Sequence, residues 1–349
     1  MTTYASGRAV KTHGAEVAGI VSCVPKRVVD NQFFIEKFGE ESVSDVVKMI
    51  GVNSRRWVAE ESTTSDLCAE AGRALLTKLG WKPQSVDAVI FVSQTPDFRL
   101  PASACVLQNK LGISVSCIAF DVNLGCSGYP YALWLGMTMI QSGAAKRVLL
   151  AVGDTISKLV DSDDRATAML FGDAGTVTAL QVSQEEGLAS FILGTDGRGA
   201  ENLIVPEGAF RACSSDVRLE GRNSDCLFMD GGEIFNFTLK SVPPLVADLM
   251  DFSGNSVESI DYFLFHQANQ FMLKHLAKKS KIPLNRFPIN IDRYGNTSSA
   301  SIPLLLSSDL ESLKLRSHNL ALFGFGVGYS WGAANIAIGP INVLDVIEL

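Results

Sequence analysis

The 349-residue chain contains no run of eighteen apolar residues, so no stretch reads as a helical membrane span. Its first twenty residues lack the charged, apolar and small-residue order of a signal peptide, and a soluble, cytoplasmic protein is the expectation. Long lysine or arginine blocks are missing and the formal net charge is −7, which argues against nucleic acid as a partner. The only dense basic stretch is "KHLAKKSK" (274–281). No CxxC pair occurs among the seven cysteines, Cys23, Cys68, Cys105, Cys117, Cys126, Cys213 and Cys226. An odd, scattered set fits neither a disulfide framework nor a zinc site, so no metal is expected, and most of these residues read as small apolar core positions.

What is present is a large apolar content, 47% of residues, arranged in alternating strand and helix patterns. "VDAVIFVSQT" (86–95), "CIAFDV" (117–122), "RVLLAVGD" (147–154) and "TVTALQV" (176–182) read as buried strands. Helix patterns at 65–80 and 128–143 lie between them. Strands apolar throughout and separated by helices predict an α/β fold with a largely parallel sheet covered on both faces. The polar stretch "QVSQEEGL" (181–188) predicts a junction between an N-terminal half, 1–184, and a C-terminal half, 185–349.

The two halves repeat. "VDAVIFVSQT" at 86 pairs with "IDYFLFHQAN" at 260, an offset of 174, and "RVLLAVGD" at 147 pairs with "NLALFGFG" at 319, an offset of 172. Such a repeat dictates architecture. It carries Cys126 onto Ser298 in "GNTSSASIP" (295–303) and the tip of strand 86–95 onto His266. Ligands of α/β sheets bind beyond the carboxyl ends of strands, so halves packed face to face would bring Cys126, His266 and Asn296 into one crevice.

Cys126 sits in "FDVNLGCSGYPYALWLG" (120–136), at the mouth of a helix starting near Ser127. Backbone N–H groups and the helix dipole there favour thiolate, the form that attacks a carbonyl; a packed helix-start cysteine is the equally weighted alternative. Of the four histidines, only His266 ends an apolar strand. Asn296 in "RYGNTSSASIP" has an ordinary role as a turn or cap residue unless the three residues converge. The glycine-rich "LFGFGVGYSWGAAN" (322–335) lacks the Lys-Ser/Thr of a phosphate loop, but a strand of this kind can aim a backbone N–H at a substrate oxygen.

Taken together, "NLGCSGYPYAL", "DDRATAMLFGDAGT" (163–176), "HQAN", "GNTSSASIP" and the glycine strand resemble the β-ketoacyl-acyl-carrier-protein synthase III family of the thiolase superfamily, over nearly the whole chain. The resemblance implies a thiolase-like, duplicated five-layer αβαβα architecture, each half carrying a mixed, mostly parallel five-stranded sheet, and a homodimer. It implies that Cys126 takes an acyl group from a thioester. His266 and Asn296 then hold a malonyl thioester through decarboxylation, while the backbone N–H groups of Cys126 and Val327 form the oxyanion hole. CoA or phosphopantetheine thioesters would be substrates, with an acyl-carrier protein as partner and no permanently bound cofactor. The product would be a 3-oxoacyl thioester, in fatty-acid initiation or a specialised fatty-acid or polyketide-like pathway.

By the same resemblance Leu100 reaches the partner's site, Leu170, Leu227 and Met229 line the acyl tunnel, and Arg165, Lys278 and Lys279 occupy positions linked to CoA or carrier contact. The chain also departs from the family. No tryptophan lies in "SVSDVVKMIG" (42–51), where one stacks on the CoA adenine, and Phe271 stands where an arginine is usual. "VSQTPDFRLP" (92–101) has no glutamate, which counts against the hydroxymethylglutaryl-CoA synthase and head-to-head condensing branches. Two alternatives remain: an acyltransferase that passes the group from Cys126 to an alcohol or amine, and a catalytically silent partner subunit. The basic stretch 274–281 reads equally as a dock for an acidic carrier and as a solvated helix face.

Overall fold

The computed structural model describes residues 2–211 and 223–349; Cys213 lies outside them. Two six-stranded sheets form its frame. The first runs β16 (Val343–Glu348), β3 (Ala15–Val24), β9 (Ala174–Val182), β8 (Arg147–Asp154), β6 (Ala88–Val92) and β7 (Ile118–Val122). The second runs β1 (Thr2–Tyr4), β2 (Gly7–Thr12), β10 (Ala189–Thr195), β15 (Ser330–Ile338), β14 (His318–Gly326) and β13 (Tyr262–Phe265). Two short ribbons, β4 (Val28–Asp30) with β5 (Ser54–Arg56) and β11 (Leu203–Ile204) with β12 (Phe228–Met229), stand apart.

The duplication is visible in the pairing. β3–β9 and β9–β8 are antiparallel and β8–β6 parallel; β10–β15 and β15–β14 are antiparallel and β14–β13 parallel. Around these four-strand units the halves diverge. The first sheet adds β7 and β16 in parallel, whereas the second adds the antiparallel pair β2 and β1. Each sheet therefore has six strands where five were expected, and the second is mostly antiparallel, because a hairpin rather than a crossover strand completes it. The terminal strands are also exchanged: β2 joins the second sheet and β16 the first, across the 184/185 division.

Both sheets are covered on both faces, which explains their continuous apolar strands. In β8, Val148, Leu150 and Val152 face a central layer, while Leu149 and Ala151 face outward. Helices α5 (Gly128–Gln141) and α10 (Ser301–Asp309) fill that central layer, contacting both sheets through residues such as Leu133 and Leu305. Helix α3 (Thr64–Leu79), started by a Thr63–Asp66 capping box, covers the first sheet's outer face. Helices α7 (Gly231–Ser253) and α8 (Gln270–Lys279) cover the second. The layers thus read αβαβα. A separate apolar cap, with Phe34 of α1 (Asn31–Phe38) and Val43 of α2 (Glu40–Ile50), lies over the segment 168–171. Among the described cysteines only Cys23, Cys68 and Cys126 are buried; Cys105 is exposed and Cys117 and Cys226 are intermediate, so fewer serve the core than composition suggested.

Candidate active site

The loop between β7 and α5 closes tightly, with the Gly128 N–H donating to the Gly125 carbonyl at 2.7 Å. This places Cys126, 8% exposed, between the two sheets where the glycine strand β14 passes behind it. A Cβ on Gly326 would lie 2.8 Å from the Cys126 Cβ and 3.1 Å from its Sγ, so only glycine lets this strand come so close. The backbone groups of Cys126 and Val327 act on the sulfur in the direction that favours thiolate. Burial, with the Asp154 carboxylate adding, nonetheless pushes the thiol up to about 12. The helix start therefore does not make a thiolate in the resting site: desolvation outweighs the dipole and the two backbone groups.

His266 follows β13 directly, its N–H donating to the Phe323 carbonyl at 2.8 Å. Its ring is 2% exposed, with Nδ1 2.8 Å from Ser301 Oγ and the edge of Phe325 against it. Burial pushes the imidazole down to about 3, opposed only by the Ser298 backbone. The ring is therefore neutral at ordinary pH. Asn296 is oriented by its own neighbours: its Oδ1 accepts the Ser298 N–H at 2.9 Å. Its Nδ2 group donates one hydrogen to the Ala268 carbonyl at 3.4 Å, which leaves the second as a donor.

The backbone of Asn296 is clamped to the segment 170–172, accepting from the Gly172 N–H at 3.1 Å and donating to the Leu170 carbonyl at 2.9 Å. Behind this segment lies Arg55, fully buried. Its guanidinium donates to the Met169 carbonyl (2.7 Å), the Val29 carbonyl (3.2 Å) and Asn31 Oδ1 (2.9 Å), and sits 4.7 Å from the Phe34 ring centre. It ties the cap to the segment that holds Asn296.

Cys126, His266 and Asn296 line one cavity of about 70 Å³, walled by apolar side chains that include Leu170, Met229, Met272 and Phe325. Leu227 packs in the cap cluster with Leu170 rather than on the cavity wall, and Leu100 is 78% exposed on the surface. Arg165 starts a short helix and hydrogen-bonds the Ser42 hydroxyl, beside the segment that lacks tryptophan. Phe271 is half exposed and stacks on Phe235, 5.8 Å between ring centres. Lys278 projects into solvent, but Lys279 donates to the Leu239 carbonyl at 3.2 Å. That carbonyl faces Pro243, which has no N–H to offer it, so Lys279 completes the α7 helix.

Sequence reasoning passed over Arg55, Ser301, Asp154 and, except as the repeat partner of Cys126, Ser298. Asp154 ends β8 in full burial and accepts from Ser93 Oγ (3.0 Å), the Gln94 N–H (2.7 Å) and Ser299 Oγ (2.8 Å). Burial raises its carboxyl above the usual range, against those donors. An acidic residue closing an apolar strand was the available signal.

Comparison with known proteins agrees with this geometry. The 3-oxoacyl-[acyl-carrier-protein] synthase III model matches residues 120–197, and the model of that family's C-terminal part matches residues 250–338. A β-ketoacyl-[acyl-carrier-protein] synthase III of Clostridium tetani is 37% identical over 293 residues, 82% of this chain and 87% of that one. The chain belongs to the β-ketoacyl-[acyl-carrier-protein] synthase III family. The synthase III of Xanthomonas axonopodis pv. citri is 34% identical over 322 residues, 92% of this chain and 97% of its own. A crystal structure of a 3-oxoacyl-(acyl-carrier protein) synthase from Burkholderia xenovorans LB400 superposes with a TM-score of 0.98 at 58% identity, covering 99% of this chain and all of that one. The thiolase-like fold of synthase III proteins is thus this chain's fold.

Proposed function

We propose that the chain catalyses a decarboxylative Claisen condensation between an acyl thioester and a malonyl-acyl-carrier protein. The observation that carries this is the convergence of Cys126, His266 and Asn296 on one buried cavity, in a member of the synthase III family. The Cys126 sulfur attacks the acyl thioester carbonyl and expels the donor thiol. As the carbonyl oxygen gains charge, the N–H groups of Cys126 and Val327 receive it, a role supported by their acting on the sulfur in the direction that favours negative charge. Each such donor contributes about 3–4 kcal/mol in a transition state.

A malonyl thioester then takes the place of the departed thiol carrier. As its carboxylate leaves as carbon dioxide, the electron pair moves onto the thioester oxygen. That enolate needs hydrogen-bond donors and no nearby anion. Asn296 supplies one through Nδ2, because its Oδ1 is already engaged. His266, neutral in its buried site, supplies the other without a fixed charge. The enolate carbon attacks the acyl-Cys126 carbonyl, the carbon–sulfur bond breaks, and the 3-oxoacyl thioester departs.

The active form is a homodimer, a reading supported by β7, the sheet's edge, where Ile118 is 43% exposed. Leu100, also exposed, is then available to the partner's cavity. Acyl-CoA or an acylated carrier protein serves as donor. Intact-mass measurement after incubation with acyl thioesters, followed by carbon dioxide release from malonyl-carrier protein, tests the reaction. A single acyl adduct on Cys126 and malonyl-dependent carbon dioxide are expected. An adduct without carbon dioxide would replace condensation by acyl transfer to oxygen or nitrogen, and no adduct at all would indicate a silent subunit.

A further inference from the structure

Ser298 occupies the position in the second half that Cys126 occupies in the first, and the fold brings the two repeat partners together. Its Oγ is 3.9 Å from the Cys126 Sγ. Its N–H holds Asn296 Oδ1 at 2.9 Å, and its backbone is the group that favours protonation of His266. One residue therefore touches all three members of the site, and it is only 3% exposed. It does so in a left-handed backbone conformation, φ 50°, that a side chain with a Cβ seldom adopts.

Resting on the reading of Cys126 as the nucleophile, we propose that Ser298 is a positioning residue whose hydroxyl donates to the Cys126 sulfur and stabilises its thiolate. Two considerations favour the hydroxyl as donor in the reactive state. A thiolate has no proton to give, so the Ser298 O–H supplies the one in the pair. The neighbouring titratable groups do not help: Asp154 is an acid that competes with the sulfur for the Ser298 hydroxyl hydrogen, and the His266 imidazole is uncharged. Among the described residues no Lys or Arg lines the cavity. With no cation among the described lining residues, a hydroxyl in contact with the sulfur is a means of holding negative charge on it. The contact is long for the neutral thiol and tightens when charge develops, as hydrogen bonds in empty active sites commonly do.

The test is the pH dependence of Cys126 alkylation by iodoacetamide, mapped by peptide mass, in the wild type, Ser298→Ala and Ser298→Gly. Because alkylation needs no acyl or malonyl substrate, its outcome is independent of which reaction the enzyme performs; absence of any Cys126 labelling in the wild type would instead undermine the nucleophile itself. Both variants lose the hydroxyl but keep the N–H to Asn296, and glycine accepts the left-handed conformation without strain. The inflection is expected to rise by about one unit in both. At a fixed pH below it the rate should fall roughly threefold to tenfold, since the more basic thiolate is intrinsically the better nucleophile. An unchanged inflection in the glycine variant overturns the proposal, whether or not the alanine variant shifts.

Discussion

Replacing Arg55 by methionine isolates what a buried cation without a carboxylate contact does for a site it never touches. Three acceptors, the Val29 and Met169 carbonyls and Asn31 Oδ1, lose their donor. At about 2 kcal/mol for each buried acceptor left unpaired, the gross cost is about 6 kcal/mol. Against it stands relief of the charge's own burial, which pulls the guanidinium down to about 10. That shift corresponds to about 3 kcal/mol, so the net loss of stability is about 3 kcal/mol. Trp57, packed against Phe33 and Phe34 in the same cap, reports the unfolding by fluorescence in a urea titration. The functional consequence follows the same path. Met169 precedes the residues whose backbone clamps Asn296, while Cys126 stands on a different loop. Carbon dioxide release from malonyl-carrier protein should therefore fall at least about tenfold, with acylation of Cys126 reduced much less. Equal losses in the two half-reactions would refute the coupling of Arg55 to Asn296. A stability change below about 1 kcal/mol would refute the accounting.

Gly326→Ala places a methyl carbon about where the Cys126 side chain already is, 3.1 Å from Sγ. It should displace the Val327 N–H and slow acylation by about 10²–10³-fold with the circular dichroism unchanged; intact-mass time courses decide. His266 has a folded-state pKa of about 3 against 6.5, so the unfolded chain binds the proton more readily. The stability this represents is complete above pH 6.5 and is lost as pH falls toward 3, about 2 kcal/mol of it by pH 5. Urea midpoints at pH 7.5 and 5 should converge in His266→Asn by that amount; the wild type's own pH dependence persisting there would contradict the assignment. Ile118→Glu puts a charge on the β7 edge and should yield monomers in sedimentation with little condensing activity. A variant that stays dimeric would move the interface elsewhere.

The opposite shifts of Cys126 and His266 have a common origin. Both Cys126 and His266 lie in a dry space between sheets, where desolvation disfavours charge of either sign, so the thiol rises and the imidazole falls. This arrangement suits a reaction whose charges appear only transiently and are then received by N–H, amide and hydroxyl donors.

Periodicity located the elements well because the sheets are covered on both faces. The span read for β8 from its apolar run, 147–154, is the span observed, and the helix at 128–143 is observed over 128–141. The offset between repeats was legible for the same reason, and it placed Ser298 opposite Cys126. Motif resemblance picked out Cys126, His266 and Asn296, which the fold brings to one cavity. Lys279 was a less local matter: its link to Leu239 depends on Pro243 in a different helix, and no stretch of "KHLAKKSK" records that.

The chain's order of apolar and polar residues determined strands, helices, the duplication and the residue types suited to thioester chemistry, since each rests on periods of a few residues or on a repeat within the string itself. Tertiary structure alone decided the exchange of terminal strands, the backbone clamp of Asn296 on 170–172 with Arg55 behind it, and the protonation of Cys126 and His266. These depend on which segments distant in sequence exclude water from one another, and desolvation is a property of the packed volume rather than of any segment.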